Sequence, residues 1–139
     1  GETLPSGGTA MISVRDRDKP AIVEVARELR ELGFELVATR GTAAALAAAD
    51  IPCETARKVR EGRPDVVDRL KDGAVVLVIN TTEGEEAIAD SYTMRRAALE
   101  RRITYTTTVA GARATVRGIA ELAARSVNRL QDLHEETAA

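Results

Sequence analysis

The chain reads as an α/β protein, a three-layer α/β/α sandwich around a five-stranded parallel sheet. Two observations predict this. Val75-Val76-Leu77-Val78-Ile79 is a continuous apolar run with no polar alternation, as expected of a strand covered on both faces by helices. Five strand candidates also alternate with helix candidates, the order that right-handed crossovers produce, and no internal repeat or low-complexity block disturbs it.

Gly1 to Gly8, with Pro5 and several glycines, reads as a linker or chain end, and 9–139 as one domain. Ala10 to Val14 is the first expected strand. Asp18 is placed to cap a helix with Pro20 in its first turn; Ile22, Val23, Ala26, Leu29 and Leu32 recur at helical spacing, and Gly33 closes it. Phe34 to Ala38 is the second strand and Thr42 to Asp50 a short alanine-rich helix. Ile51 to Ala56 is a third strand, weakened by Pro52, which has no amide to donate. Lys58 to Pro64 is a charged loop, after which Pro64 opens a helix through Val66, Val67 and Leu70 that ends at Lys71-Asp72-Gly73. Val75 to Ile79 is the fourth strand, and the chain turns away through Asn80 to Gly84. Asp90 is expected to cap a basic helix carrying Met94, Ala97 and Ala98 to about Arg102. Ile103 to Thr107 is the fifth strand. Thr108 caps the last long helix, with Val109, Val116, Ile119, Leu122 and Ala123, and Val127, Leu130 and Leu133 suggest a further amphipathic stretch.

Composition narrows the function. At 139 residues the chain suits one core, burying roughly 70% of its unfolded surface. A net charge of −2 and three aromatic residues, Phe34, Tyr92 and Tyr105, argue against nucleic acid, which asks for a basic face or a stacking platform. No apolar run approaches the roughly 20 residues of a membrane span. A single cysteine, Cys53, excludes an internal disulfide, reads as core and suits a reducing compartment, so the cytoplasm is expected. A start at glycine suggests a processed chain or a fragment of something larger.

In an open α/β sheet, ligands bind beyond the carboxyl ends of the strands. In chain order those ends carry Lys19; Thr39 and Thr42; Lys58; Asn80, Thr81 and Thr82; and Thr106 to Thr108. Ammonium groups, hydroxyls and helix N-termini together suit a phosphate, leaving the amide to read a sugar or base. Each residue also has a structural reading. Thr42 serves as an N-cap and Gly41 as a turn residue, Thr82 and Thr107 as strand or cap threonines, Lys58 as a solvated side chain. Lys19 is more informative, because a cation at a helix N-terminus opposes the dipole unless an anion sits nearby. His134 lies in the polar tail without metal-ligand geometry, Ser13 lacks a nucleophile-elbow context, and neither Walker A nor G-x-G-x-x-G occurs. Glu85-Glu86 fits an acidic first helical turn.

Ser13-Val14 with Asp18-Lys19, Gly33-Phe34-Glu35-Leu36, Ala38-Thr39-Arg40-Gly41-Thr42-Ala43, Lys58-Val59-Arg60-Glu61-Gly62-Arg63-Pro64, Asn80-Thr81-Thr82 and Arg95-Arg96-Ala97-Ala98-Leu99 occur in order between about Thr9 and Glu121. Together they resemble one family, the C-terminal methylglyoxal-synthase-like allosteric domain of the carbamoyl-phosphate synthetase large chain. That resemblance implies a Rossmann-type regulatory domain without its own chemistry or cofactor, in a cytoplasmic ligase of pyrimidine and arginine biosynthesis that uses ATP and a divalent metal. Its partners would be UMP as inhibitor or IMP as activator, the catalytic domains, the small glutaminase chain and possible further copies of itself, with no nucleic acid or membrane. By matching position, Lys19, Thr39, Thr42, Lys58, Asn80 and Thr82 would hold the nucleotide, the lysines with Thr39 and Thr42 nearest its phosphate. Ser13 and Asp90 match supporting positions, Asp90 toward the ribose. Tyr105 and Thr107 match ornithine contacts whose acidic partners lie in a neighbouring domain.

Two relatives of that family share parts of the pattern. Methylglyoxal synthase, a lyase acting on dihydroxyacetone phosphate, resembles the chain in its Lys and Thr phosphate set. Its catalytic aspartate sits in a Gly-Pro-x-Gly-Gly-Asp loop, and here the region reads Glu61-Gly62-Arg63-Pro64-Asp65, leaving Asp65 and Asp68 as the substitutes. The IMP cyclohydrolase domain shares the Asp-Lys and Gly-Thr-Ala layout, but its G-R-V-K-T-L-H-P segment is missing. Asp65 stands where a histidine is common in the synthetase domain, and Glu85-Glu86 where some members are basic. An interaction module using the stretch around Leu130 and Leu133 is the third reading.

Overall fold

A computed structural model describes residues 4–58, 61–81 and 85–138, except the side chains of residues 85–90 and 130–138. Its strands are β1 (Thr9–Ser13), β2 (Glu35–Thr39), β3 (Glu54–Ala56), β4 (Val75–Asn80) and β5 (Thr104–Thr106). All pair in parallel, as the sequence predicts, and their spatial order is β3-β2-β1-β4-β5. The helices are α1 (Lys19–Glu31), α2 (Arg40–Ala48), α3 (Val66–Lys71), α4 (Glu85–Glu100) and α5 (Val109–Ala138).

Alternation along the central strands divides the core. Ala10, Ile12, Leu36 and Ala38 pack on one face with Ile22, Ala26 and Leu29 of α1, Leu46 of α2, and Ala112, Val116 and Ile119 of α5. Met11 and Val37 pack on the other with Val66 and Leu70 of α3 and Met94 and Ala97 of α4. Helices therefore cover both faces, which is why the Val75 run can be apolar throughout. That run also hides an irregularity: Thr9 pairs with Val75 but Ala10 with Leu77, so β4 has one extra residue. Val76 and Leu77 consequently face the same cluster, while Val75 and Val78 face the other.

Several boundaries differ from those the sequence predicts. Asp18 precedes α1 but makes no side-chain cap bond; a short 3-10 turn, Asp16–Asp18, leads in, and Pro20 lies in the first helical turn. Gly33 ends α1 as expected, at φ +94°, a left-handed geometry that a side chain would strain. β3 is shorter than Ile51 to Ala56, and Cys53 is half-buried outside it, its thiol raised in pKa by burial. Asp90 does not cap α4: the helix begins five residues earlier at Glu85, so Asp90 is internal and Glu85-Glu86 form the first turn. Thr108 does cap α5, accepting from Gly111 N at 2.9 Å. α5 runs without a break for 30 residues, and Leu122, Ala123 and Val127 are solvent-exposed along it. The side chains of Leu130 and Leu133 lie outside the described residues.

α3 owes its start to Asp65 rather than to Pro64. Asp65 Oδ1 accepts from Val67 N and Asp68 N, both at 3.0 Å, while Asp68 Oδ2 accepts from Asp65 N at 2.9 Å, a reciprocal capping box. Asp68 is also bonded by the Arg63 guanidinium, which with the Asp65 amide lowers its pKa from 3.8 to about 2. Removing the cap in Asp65→Ala should lower the urea-unfolding free energy by about 1 kcal/mol, less than the roughly 2–5 kcal/mol expected for Leu70→Ala beneath it. A depressed carboxyl stabilises above its unfolded pKa and stops doing so as pH falls through its folded value. Asp68→Asn should therefore flatten the acid limb of stability between about pH 4 and about pH 2, a change readable in melts at stepped pH.

Candidate functional site

β1 and β4 are neighbours in space although two other strands separate them in sequence, and their ends meet where Ser13 pairs with Asn80. Thr81 N donates to Ser13 O at 3.0 Å, and Arg15 N donates to Thr81 Oγ1 at 3.2 Å. Beyond this seam the two chains leave for opposite faces, one into α1 and the other into α4. Such a reversal of strand order is where an open α/β sheet forms its crevice.

On the β1–β2 side, Thr39 ends β2 and also stands as N-cap of α2, with ψ at 160°. No loop intervenes. Thr42 is thus in the first turn of α2 rather than its cap, and Gly41 is inside the helix rather than in a turn. Thr39 Oγ1 donates to Ser13 Oγ at 3.0 Å. Thr42 Oγ1 accepts from Val14 N at 3.1 Å and donates to Val14 O at 3.5 Å. Ser13, Thr39 and Thr42 are all buried, so the hydroxyls bind the end of β1 to the start of α2.

The charged groups lie outside this pinned turn. Lys19 Nζ stands 3.2 Å from where a Cβ on Gly41 would be, so the absence of a side chain there admits the ammonium to the start of α2. Lys19 also bonds the carboxylate of Asp16. Asp16 is held below the ordinary carboxylate value by that bond and the Lys19 charge, against an opposing effect of desolvation, with the charge of Lys58 the smallest contribution. Lys58 is half-exposed and sits in a loop secured by Glu61, which accepts from Lys58 N at 2.8 Å and pairs with Arg40 of α2 at 3.0 Å. Asp18, on the same turn as Asp16, points elsewhere. Desolvation raises its pKa, but bonds from Thr81 and Arg15 outweigh this and hold it low.

On the β4–β5 side, Asn80 is buried and its Nδ2 donates to Ser91 Oγ at 2.9 Å and to Tyr105 OH at 2.7 Å. The Arg95 guanidinium lies 5.4 Å from the centre of the Tyr105 ring, a cation–π distance. These residues line a depression of about 370 Å³ with Arg15, Thr81, Tyr92 and Thr107. Among the described residues its lining holds two arginines and no acid.

The structure thus gathers Ser13, Lys19, Thr39, Thr42 and Lys58 on one side of the seam, and Asn80, Tyr105 and Thr107 on the other. Asp90 is located only as an α4 backbone position, and Thr82 lies outside the described residues. Arg15, Asp16, Ser91, Tyr92 and Arg95 escape sequence reasoning as site residues. Ser91 and Arg95 are four apart on a helix, a spacing that puts both on one face and could have marked them. Among the described residues no group of three His, Cys, Asp or Glu side chains could hold a metal ion, and no helix is long and apolar enough to cross a membrane.

A family model described as MGS-like domain matches residues 21–107. The carbamoyl phosphate synthase large chain of Pseudomonas syringae pv. tomato is 53% identical over 133 residues, 96% of this chain and 12% of that protein. That of Xanthomonas axonopodis pv. citri is 50% identical over 136 residues, 98% of this chain and 13% of the relative. The C-terminal section of the Methanopyrus kandleri large chain is 50% identical over 138 residues, 97% of this chain and 26% of that section. The chain therefore spans only a small part of the relatives it matches. The site at the β1–β4 seam, the sheet that builds it and these likenesses agree: the chain belongs to the MGS-like domain family.

Proposed function

We propose that this chain is the allosteric domain of a carbamoyl phosphate synthase large chain, binding a nucleoside monophosphate, UMP or IMP, across the β1–β4 seam. The observation that carries this is Lys19 seated against Gly41 at the start of α2 and already paired with an anion, Asp16, with the Lys58 loop held against Arg40 of the same helix by Glu61. Two ammonium groups beside a helix N-terminus suit a phosphate. Thr39 and Thr42 hold the turn in shape and reach the phosphate by exchanging their bonds to Ser13 and Val14. Asn80 and Thr82 meet the sugar or base, with Asp90 toward the ribose.

In this reading the domain has no reaction of its own, and the ligase belongs to the longer protein, with ATP, a divalent metal, a small glutaminase chain and a cytoplasmic setting. Effector binding would bias that protein between states, typically by about 1–3 kcal/mol. Tyr105 and Thr107 form one wall of an ornithine site. The described lining of this depression carries Arg15 and Arg95, and the acidic partners for the ammonium groups of ornithine come from another domain in this reading.

A lyase reading would require Asp65 or Asp68 as base, and both are committed. Asp65 is buried in the capping box, and Asp68, with a pKa of about 2, is a weak base paired to Arg63. Methylglyoxal formation from dihydroxyacetone phosphate that vanishes in Asp68→Asn would restore that reading.

Titration calorimetry in phosphate-free buffer should show saturable binding of UMP or IMP, weakened by about tenfold or more in Lys58→Ala, and little heat with ornithine. Failure of both nucleotides to bind, even after the carboxylate beside Lys19 is neutralised in Asp16→Asn, would end this reading of the chain. Gly41→Ala should separate binding from folding. A Cβ there would stand 3.2 Å from Lys19 Nζ, so the ammonium must shift by a few tenths of an ångström and nucleotide binding should weaken, while the helix keeps its stability or gains up to about 1 kcal/mol.

A further inference from the structure

Lys19 opens α1, where the dipole disfavours a cation, and the sequence supplies an anion within three residues. Asp16 has a side chain 97% exposed, whereas that of Lys19 is only 21% exposed. Nothing in burial forces this carboxylate toward the protein. It is drawn back by the Lys19 ammonium, and the charge of Lys58 also acts on it. A carboxylate bonded by the lysine that sits at the start of α2 has the environment that the proposed function assigns to a phosphate oxygen.

The neighbouring acid shows how such a group could leave. Asp18 is tied inward to Arg15 at 2.7 Å and is bonded by Thr81, so it anchors the 3-10 turn to the seam. Among the described residues, the hydrogen-bond partner of the Asp16 carboxylate is Lys19. Rotation of the Asp16 side chain would free Lys19 without moving the backbone that Asp18 holds.

We propose that Asp16 is an internal counter-anion that occupies the phosphate seat in the ligand-free chain, so that an effector binds by displacing it from Lys19. This rests on the phosphate role of Lys19 and Lys58 and adds a regulatory property to it. Asp16 raises the concentration of effector needed, first by competing for Lys19 and then by standing beside the bound phosphate as a like charge. Because the carboxylate is exposed and its pairing is screened, the effect is several-fold rather than a block.

The test compares inorganic phosphate, UMP and IMP by calorimetry on the full chain, on Asp16→Asn and on Glu28→Gln, a charge control on the far half of α1. Asp16→Asn should bind each phosphate-bearing probe about two- to five-fold tighter than the unaltered chain. The gain should shrink as salt is raised, and Glu28→Gln should show no gain. Melting curves establish that each variant is folded, and Asp16→Ser serves as a second neutral replacement. Binding by Asp16→Asn where the unaltered chain binds nothing would also support the proposal. Equal or weaker binding by both neutral variants, with the unaltered chain binding normally, overturns it and leaves the phosphate site standing. If no variant binds any probe, the phosphate reading fails and takes this inference with it.

Discussion

A parallel strand cannot return directly to its neighbour; the chain must first cross a face of the sheet, usually as a helix. With all five strands parallel, this constraint sets their carboxyl ends along one edge and closes both faces with apolar contacts. Polar chemistry is left the rims. At the carboxyl rim the strand order reverses between β1 and β4, so the segments leaving them diverge toward opposite layers. The crevice follows from connectivity, and the residues just past the strand ends decide its use.

A second constraint acts on those residues. Ser13, Thr39, Thr42, Asn80 and Thr81 are buried, and a buried polar group left unpaired costs about 1–3 kcal/mol. Among the described residues every buried side-chain nitrogen and oxygen has a partner. Thr39 bonds Ser13, Thr42 bonds Val14, Asn80 bonds Ser91 and Tyr105, and Thr81 joins Arg15. The inner hydroxyls and amide therefore act as framework. Half-exposed Lys19 and Lys58, and exposed Arg95 and Thr107, form the outer layer. Glu61 links the layers by holding the Lys58 loop against Arg40 at the start of α2.

How legible each feature was depends on how local its cause is. The parallel sheet could be read from Val75 to Ile79, because burial on both faces leaves a local mark; the extra residue in β4 could not, because it depends on pairing with β1. The start of α2 was misplaced at Thr42 because Gly41 looks like a turn residue, whereas its lack of a Cβ instead leaves room for Lys19, a contact between distant elements. Asp90 resembled a cap by residue type, but α4 had already begun at Glu85. Leu122 fits the apolar period of α5, yet the helix has left the sheet by that point and the side chain is exposed. That Ser13, Thr39 and Asn80 lie at strand ends was legible because apolar runs mark where strands stop. Asp16 was not, since its pairing with Lys19 depends on a 3-10 turn where a direct helix start was expected.

For the proposed effector site, these two layers make binding an exchange. A phosphate arriving at Lys19 meets an ammonium already bonded to a carboxylate, and reaching Thr39 or Thr42 requires bonds to Ser13 or Val14 to open. The net free energy is then a difference between similar contacts, smaller than their sum. This suits a regulatory module, because a ligand shifts an equilibrium only through its different affinity for two states, however tightly it binds either one. The exchanged contacts lie at the entrance to α1 and the start of α2, while the Lys58 loop is coupled to α2 through Glu61 and Arg40. Altering the anion at Lys19 changes the charge at two helix N-termini that pack against each other's layer on one face of the sheet. An effector could therefore be registered by the surface of that layer without any rearrangement of the strands beneath it.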